Sequence, residues 1–179
     1  INLGSNSWFE WLPQETIIYD NAKLNRSLAL NAKSNAEALL GEIVVLGRVA
    51  SGEKPNDIFL KDKIEINSNN KLRWMDTILL NNNLRTAGNS LARLNNCNCF
   101  FTIIFLTSNP EDDLDALNDM IEEKTPHNYL SITCVNDVII IRGIYTNPLN
   151  LRKKFAEIWM KIRNNLRGLI NEMPKLWWI

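Results

Sequence analysis

The sequence predicts a mainly β fold of the α+β kind, with two helices late in the chain. Three observations lead there. The first half carries short segments whose apolar residues alternate or crowd together, the pattern of strands. The apolar runs Phe100–Leu106 and Val138–Ile141 are far too short to span a membrane and suit buried strands. Helical spacing of apolar residues occurs in two places, after Pro110 and after Pro148.

The elements follow in order. Thr16–Tyr19 is a short β-branched and aromatic strand, and Asn25–Asn31 alternates with Leu28 and Leu30 on one face. Ala38–Leu46 is an almost continuous apolar run interrupted by Gly41 and Glu42, and Gly47, Gly52 and Pro55 then mark turns. Ile58, Leu60, Ile64 and Ile66 alternate along a further strand, with a break expected near Lys61–Lys63. Asn67–Asn70 is a turn and Lys71–Leu80 the return strand of a hairpin. Phe100–Thr107 is a strand. Ser108 or Asn109 is the candidate cap of a helix with Pro110 first and Glu111, Asp112 and Asp113 at its positive end. Its stripe is Leu114, Leu117, Met120 and Ile121, and Lys124 and Pro126 end it. Tyr129–Val135 and Val138–Ile144 form a hairpin about Asn136 and Asp137. Pro148 opens a long helix to about Leu169, near Gly168, with Leu151, Phe155, Ile158, Trp159, Ile162, Leu166 and Leu169 on one face.

A length of 179 residues with 45% apolar and 22% charged residues suits one domain with a real core and argues against disorder. Twenty basic and 20 acidic side chains cancel, which argues against a nucleic-acid or polybasic membrane surface. The charge is uneven, however. From Arg142 onward there are eight Lys or Arg against Glu157 and Glu172, an excess of +6. Two readings stand: a solvated helix face, or a docking surface for an acidic partner. The N-terminus shows no secretory pattern, and three cysteines make no disulfide framework, so a reducing cytosol is expected. The chain begins at Ile1, the mark of a fragment or a processed product. Asparagine clusters at 69–70, 81–83 and 95–96 read as compositional bias.

Catalytic chemistry is hard to find. His127 is the sole histidine, in an expected loop, with no nucleophile elbow near it. There is no GxxxxGK[ST] phosphate loop and no strand–GxGxxG–helix unit. Cys97 and Cys99 form a Cys-Asn-Cys pair that lacks further nearby ligands beyond Cys134 and His127, so ordinary reduced cysteines are the simpler reading. Glu42 is more informative. A carboxylate inside a buried apolar strand must be paired, protonated or near water. Regular alternation through Gly47 places Arg48 on the face of Glu42. A structural ion pair, with Arg48 or with a neighbouring strand, and a polar lining for the passage of a cation both fit. Asp76, after Trp74 and Met75, poses the same question.

These residues carry a family resemblance. Residues 8–22, WFEWLPQETIIYDNA, resemble the "LEWLPQETI.FDGA" segment of the urease accessory protein UreD (UreH) family. Residues 41–53, GEIVVLGRVASGE, are similar to its "WEIVCLGRPASGE". Leu151-Arg152, Phe155, Ile158-Trp159, Ile162-Arg163, Leu166, Gly168 and Pro174-Lys175-Leu176-Trp177 resemble its C-terminal "LR..F..IW..LRP.L.G…PRIW". The sequence departs from the pattern at Val45, Val49 and Asn164, and the family's N-terminal segments are missing. Residues 1–179 thus read as one domain, the C-terminal two-thirds of a UreD.

The resemblance implies a two-layer, β-helix-like stack of strands and a non-enzymatic maturation factor of the cytoplasm. It implies UreF, UreG and apo-urease as partners, with neither nucleic acid nor membrane involved. No permanent cofactor is implied; Ni2+ would pass through transiently to the urease active site. A delivery route needs weak, spaced ligands, since entry and exit must both be easy. Glu42, which matches the family's acid, and Asp76 are the expected passage-lining groups. Arg48 is expected to hold the local charge balance, and Trp11, Pro13 and Gln14 to be structural. A β-rich interaction scaffold with no metal role is the alternative.

Overall fold

The computed structural model describes residues 1–48, 51–53, 55–81, 93–121 and 129–178. The strands are β1 (Asn2–Leu3), β2 (Trp8–Trp11), β3 (Thr16–Ile18), β4 (Lys23–Ala32), β5 (Glu37–Leu46), β6 (Phe59–Ser68), β7 (Lys71–Asn81), β8 (Cys99–Leu106), β9 (Tyr129–Val135) and β10 (Val138–Tyr145). Helix α1 (Pro110–Met120) precedes β9, and α2 (Pro148–Lys161) follows β10. His127 and the expected helix stop at Lys124 and Pro126 lie outside the described residues.

The strands form two sheets that share the chain alternately. The outer sheet has the order β1-β4-β6-β7, with β1, β4 and β6 parallel and β7 antiparallel to β6. In the inner sheet β2 and β3 lie in parallel on the same edge of β5, and β8, β10 and β9 follow in antiparallel order. Successive crossings from sheet to sheet therefore stack in parallel; the strand-rich chain with two late helices is what the residue pattern predicts, and the two layers are what the family resemblance implies.

The helices cover the second face of the inner sheet. Strand β8 is buried at every position because it has sheet on one side and helix on the other, which explains its unbroken apolar run. Along β5 the alternation sends Ala38, Leu40, Val44 and Leu46 toward the outer sheet and Leu39, Ile43 and Val45 toward the helices. The α2 stripe of Leu151, Phe155, Ile158 and Trp159 packs there. The Phe155 ring lies directly over Gly41, where a Cβ would come within 2.3 Å of Phe155 Cζ. It also stacks on Trp159 and Trp177 at centroid distances of 5.4 and 5.3 Å.

Several expectations change. Strand β6 has no break at 61–63, because Asp62 takes the inward position in an unbroken alternation. Strands β1 and β2, short and held by parallel neighbours, have no strong local signal. The long helix leaves α-geometry after Lys161, continues as a π turn over Ile162–Leu166, and stops before Gly168, whose φ is +64°. Asn109 stands at the cap position of α1 without a side-chain cap bond. The asparagines are more than bias: Asn69-Asn70 and Asn136-Asp137 all have positive φ and make the two-residue turns of the β6–β7 and β9–β10 hairpins.

The basic C-terminal segment finds its acids within the chain. Arg152 pairs with Glu15 at 3.4 Å, Arg163 with Glu10 at 3.0 Å, and Arg142 with Asp76 at 2.6 Å. Arg167 joins Glu37 at 2.7 Å and Asp113 at 2.6 Å. Much of the +6 excess thus fastens the last quarter of the chain to earlier elements. Among the described residues no helix is long and apolar enough to cross a membrane.

Candidate functional site

Two apolar clusters fill the space between the sheets. One gathers Leu30, Leu40, Ile66 and Ile104, the other Val44, Leu46, Leu60 and Phe100. A polar row separates them. Strand alternation turns Arg26 of β4, Asp62 of β6 and Asp76 of β7 inward from the outer sheet. Glu42 of β5, Thr102 of β8 and Arg142 of β10 meet them from the inner sheet. Pairing register aligns each set: Arg26 stands opposite Asp62, while Thr102 stands opposite both Glu42 and Arg142. Asp76 lies two residues from Ile78, the β7 partner of Asp62, and so on the same face. The row runs across the strands.

At its centre Glu42 and Asp62 are 6% and 4% exposed. Arg26 grips Asp62 with both arms, Nε to Oδ1 at 3.0 Å and Nη2 to Oδ2 at 2.5 Å. The same Nη2 lies 2.8 Å from Glu42 Oε2, and Nη1 donates to Thr16 Oγ1 at 3.1 Å. Trp11 Nε1 donates to Glu42 Oε1 at 3.0 Å. Glu42 Oε2 is held by its ion pair with Arg26 Nη2, the same nitrogen that grips Asp62. Burial pushes the Glu42 carboxyl above its ordinary value, against the opposing pull of Arg26 and Trp11. The Asp62 carboxylate holds the Arg26 guanidinium still more firmly protonated.

Beyond this centre a cavity of about 10 Å³ is lined by Glu42, Asp62, Asp76 and Thr102, with Ile64 and Phe100 in its walls. That is space for about one water-sized particle. Asp76 and its partner Arg142 are considerably more exposed than the two central acids. The opposite end reaches a gap in the inner sheet. Strand β2 pairs with β5 from Glu37 to Leu40 and β3 from Val44 to Leu46, so among the described residues 41–43 have no strand on that edge. Glu42 sits at the middle of the gap, and Trp11 and Thr16 flank it. Carboxylate and hydroxyl oxygens spaced along such a row are donors for a divalent cation held loosely.

The cysteines offer less. Burial raises both Cys97 and Cys99, the latter to about 12, so neither readily becomes the thiolate that binds metal. Among the described residues no cluster of three or more His, Cys, Asp or Glu is arranged around one metal position.

The sequence model of the UreD urease accessory protein matches residues 1–178. The chain belongs to the UreD family. Curated relatives agree: the urease accessory protein UreD of Magnetococcus marinus is 27% identical over 99% of this chain and 62% of its own length. That of Ruegeria pomeroyi is 26% identical over 100% of this chain and 66% of its own. That of Saccharophagus degradans is 30% identical over 98% and 60%. The chain thus spans some 60 to 66% of the length of these UreD relatives.

The first two UreD-like segments converge on the row, while the third packs on the other face of the inner sheet. Residues 8–22 supply β2 and β3 with the gap between them, and β5 supplies Glu42. Trp11, expected to be structural, also orients the Glu42 carboxylate. Half-buried Pro13 lies in the link between β2 and β3, where a missing backbone N–H costs no ladder bond. Gln14 donates to the Leu176 carbonyl at 2.7 Å and accepts from Arg152 at 3.2 Å, tying that link to the C-terminus. Arg48 lies away from the row. Gly47, at φ +80°, ends the strand, and Arg48 pairs instead with Glu53 at 2.9 Å. The cation beside Glu42 is Arg26, which pattern reading passed over together with Asp62, Thr102 and Arg142. Their signal was present: each is a polar residue at an inward position of an otherwise apolar alternation, as in Leu60-x-Asp62-x-Ile64 and Phe100-x-Thr102-x-Ile104.

Proposed function

We propose that this chain is part of a urease accessory protein that binds apo-urease together with UreF and UreG, and that the row between its sheets lets nickel pass toward the urease active site. The observation that carries this reading is the row itself. Carboxylates, a hydroxyl and two arginines form a polar row across an otherwise apolar sandwich in a UreD-family chain. Apolar residues of similar volume would pack the same space at no loss of stability, and often with a gain. Nickel is the cargo, bound transiently and never as a resident cofactor. It accepts carboxylate oxygen as well as imidazole and thiolate, and weak ligands in series let it leave as readily as it enters. Glu42 and Asp76 line the passage and Asp62 joins them. Residues 1–179 act as one domain of a longer protein, in the cytoplasm, and perform no catalysis.

The test is co-expression of the complete protein with urease and the other accessory proteins, with Glu42→Gln and Asp76→Asn combined. Pull-down of an intact complex together with a fall in nickel-dependent urease activity is the expected result. Assembly with undiminished activation would remove both residues from the route. One observation favours a second reading, a scaffold without a metal role: Glu42, Asp62 and Asp76 each touch an arginine. On that reading the double variant weakens assembly and leaves activation per assembled complex unchanged.

A further inference from the structure

We infer that Arg26 is a displaceable stand-in for the passing cation, and that a divalent ion enters the centre of the row only as the guanidinium swings out. The inference rests on the proposed passage and concerns how it is kept closed when empty.

Charge is the first argument. Glu42, Asp62 and Arg26 together carry −1 when both acids are ionised. Adding a divalent cation with Arg26 in place leaves the buried cluster at +1, whereas exchanging it for Arg26 brings the cluster to zero. In a site this dry the neutral outcome is favoured, since an uncompensated buried charge is costly. Position is the second. One nitrogen, Nη2, lies 2.5 Å from Asp62 Oδ2 and 2.8 Å from Glu42 Oε2, between oxygens of two different strands. A bridging metal ion would occupy that same place. Glu42 Oε2 is buried and is met by that same Nη2, so the charge it loses when Arg26 leaves is the one a cation would replace.

Mobility is the third. The Arg26 side chain is 26% exposed while its two acids are almost fully buried. Its Nη1 already reaches Thr16 at the sheet gap, so the head has a short path to solvent. Trp11 and the sheet hold Glu42 still as it leaves. With Arg26 in place the row resists both collapse and adventitious cations; with Arg26 out, the two carboxylates face each other and need a replacement charge.

The experiment measures Ni2+ affinity of the complete protein by competition with a metallochromic indicator, alongside urease activation. Arg26→Met removes the competitor, and Arg26→Lys keeps a charge without the two-armed grip. Circular dichroism and pull-down confirm that each variant folds and assembles. We expect Arg26→Met to bind Ni2+ about tenfold more tightly, a factor worth ~1.4 kcal/mol, and Arg26→Lys to fall between it and wild type. Tighter binding should come with slower release and weaker activation. A purely structural arginine would give unchanged or weaker binding in Arg26→Met, and that result overturns the inference. The passage itself is judged separately by Glu42→Gln with Asp76→Asn: if that variant fails to activate urease while Arg26→Met binds no better, the passage stands and the gate falls. Should neither set alter binding or activation, both are refuted.

Discussion

The contact of Phe155 with Gly41 sets a test of the packing that holds β5 in place. In Gly41→Ala the new methyl would lie 2.3 Å from Phe155 Cζ, 2.9 Å from Phe155 Cε2 and 2.8 Å from Trp159 Cζ3. Carbon atoms settle at about 3.5–4.0 Å, so the ring must retreat by more than an ångström. It has nowhere to go. Phe155 is stacked against Trp159 and Trp177 and meets Phe101 edge-on at 5.6 Å. Overpacking of this kind costs about 1–3 kcal/mol, and the closeness of three atoms places Gly41→Ala near ~3 kcal/mol. Phe155→Leu alone, a large-to-small change, should cost about 1–2 kcal/mol. Combined, the methyl enters the space the ring vacates, and the pair should cost less than the two singles together by at least ~1 kcal/mol. Urea unfolding followed by tryptophan emission measures each midpoint, with the slope m checked for constancy. Additive costs within about 0.5 kcal/mol, or a neutral Gly41→Ala, would refute the proposed role of glycine as the seat of the ring.

Two further outcomes follow from the ion pairs. Arg167 bridges Glu37, Asp113 and Thr107 while lying over the Phe105 ring at 4.7 Å, so Arg167→Met leaves two largely buried acids without a cation. It should lower unfolding free energy by ~3 kcal/mol, and adding Glu37→Gln and Asp113→Asn should restore part of the loss; equal urea midpoints for wild type and Arg167→Met would contradict this. Glu53 accepts from the Arg48 side chain and from the backbone N–H groups of Arg48 and Asp20, which holds its carboxyl down at about 2 instead of 4.5. A depressed carboxylate stabilises the fold fully above 4.5 and loses that contribution as pH falls toward 2. The stability gap between wild type and Glu53→Gln should therefore be present at pH 6 and shrink on acidification; a gap independent of pH would show that Glu53 acts through packing instead.

The β class, the hairpins, the two late helices and the family segments were legible because each depends on local pattern: alternation, turn residues, Pro before a helix, and 3.6-residue spacing. Glu42 and Asp76 stood out for the same reason, as acids within strand-like runs. By itself the sequence thus determined what most segments form and which family the chain resembles. It could not say that β4 lies in parallel beside β6, or that β2 and β3 share one edge of β5, because parallel neighbours are distant in sequence and no local signal sets their register. Those pairings decide the candidate site. They align Arg26 with Asp62 and Thr102 with Glu42, and sheet-on-sheet packing then brings the two rows together. The Arg48 expectation failed for the same reason, since alternation carries no information past a residue such as Gly47 at positive φ. Tertiary structure alone chose the partners of the buried acids, because a charge removed from water must be matched by whichever opposite charge the fold places within reach.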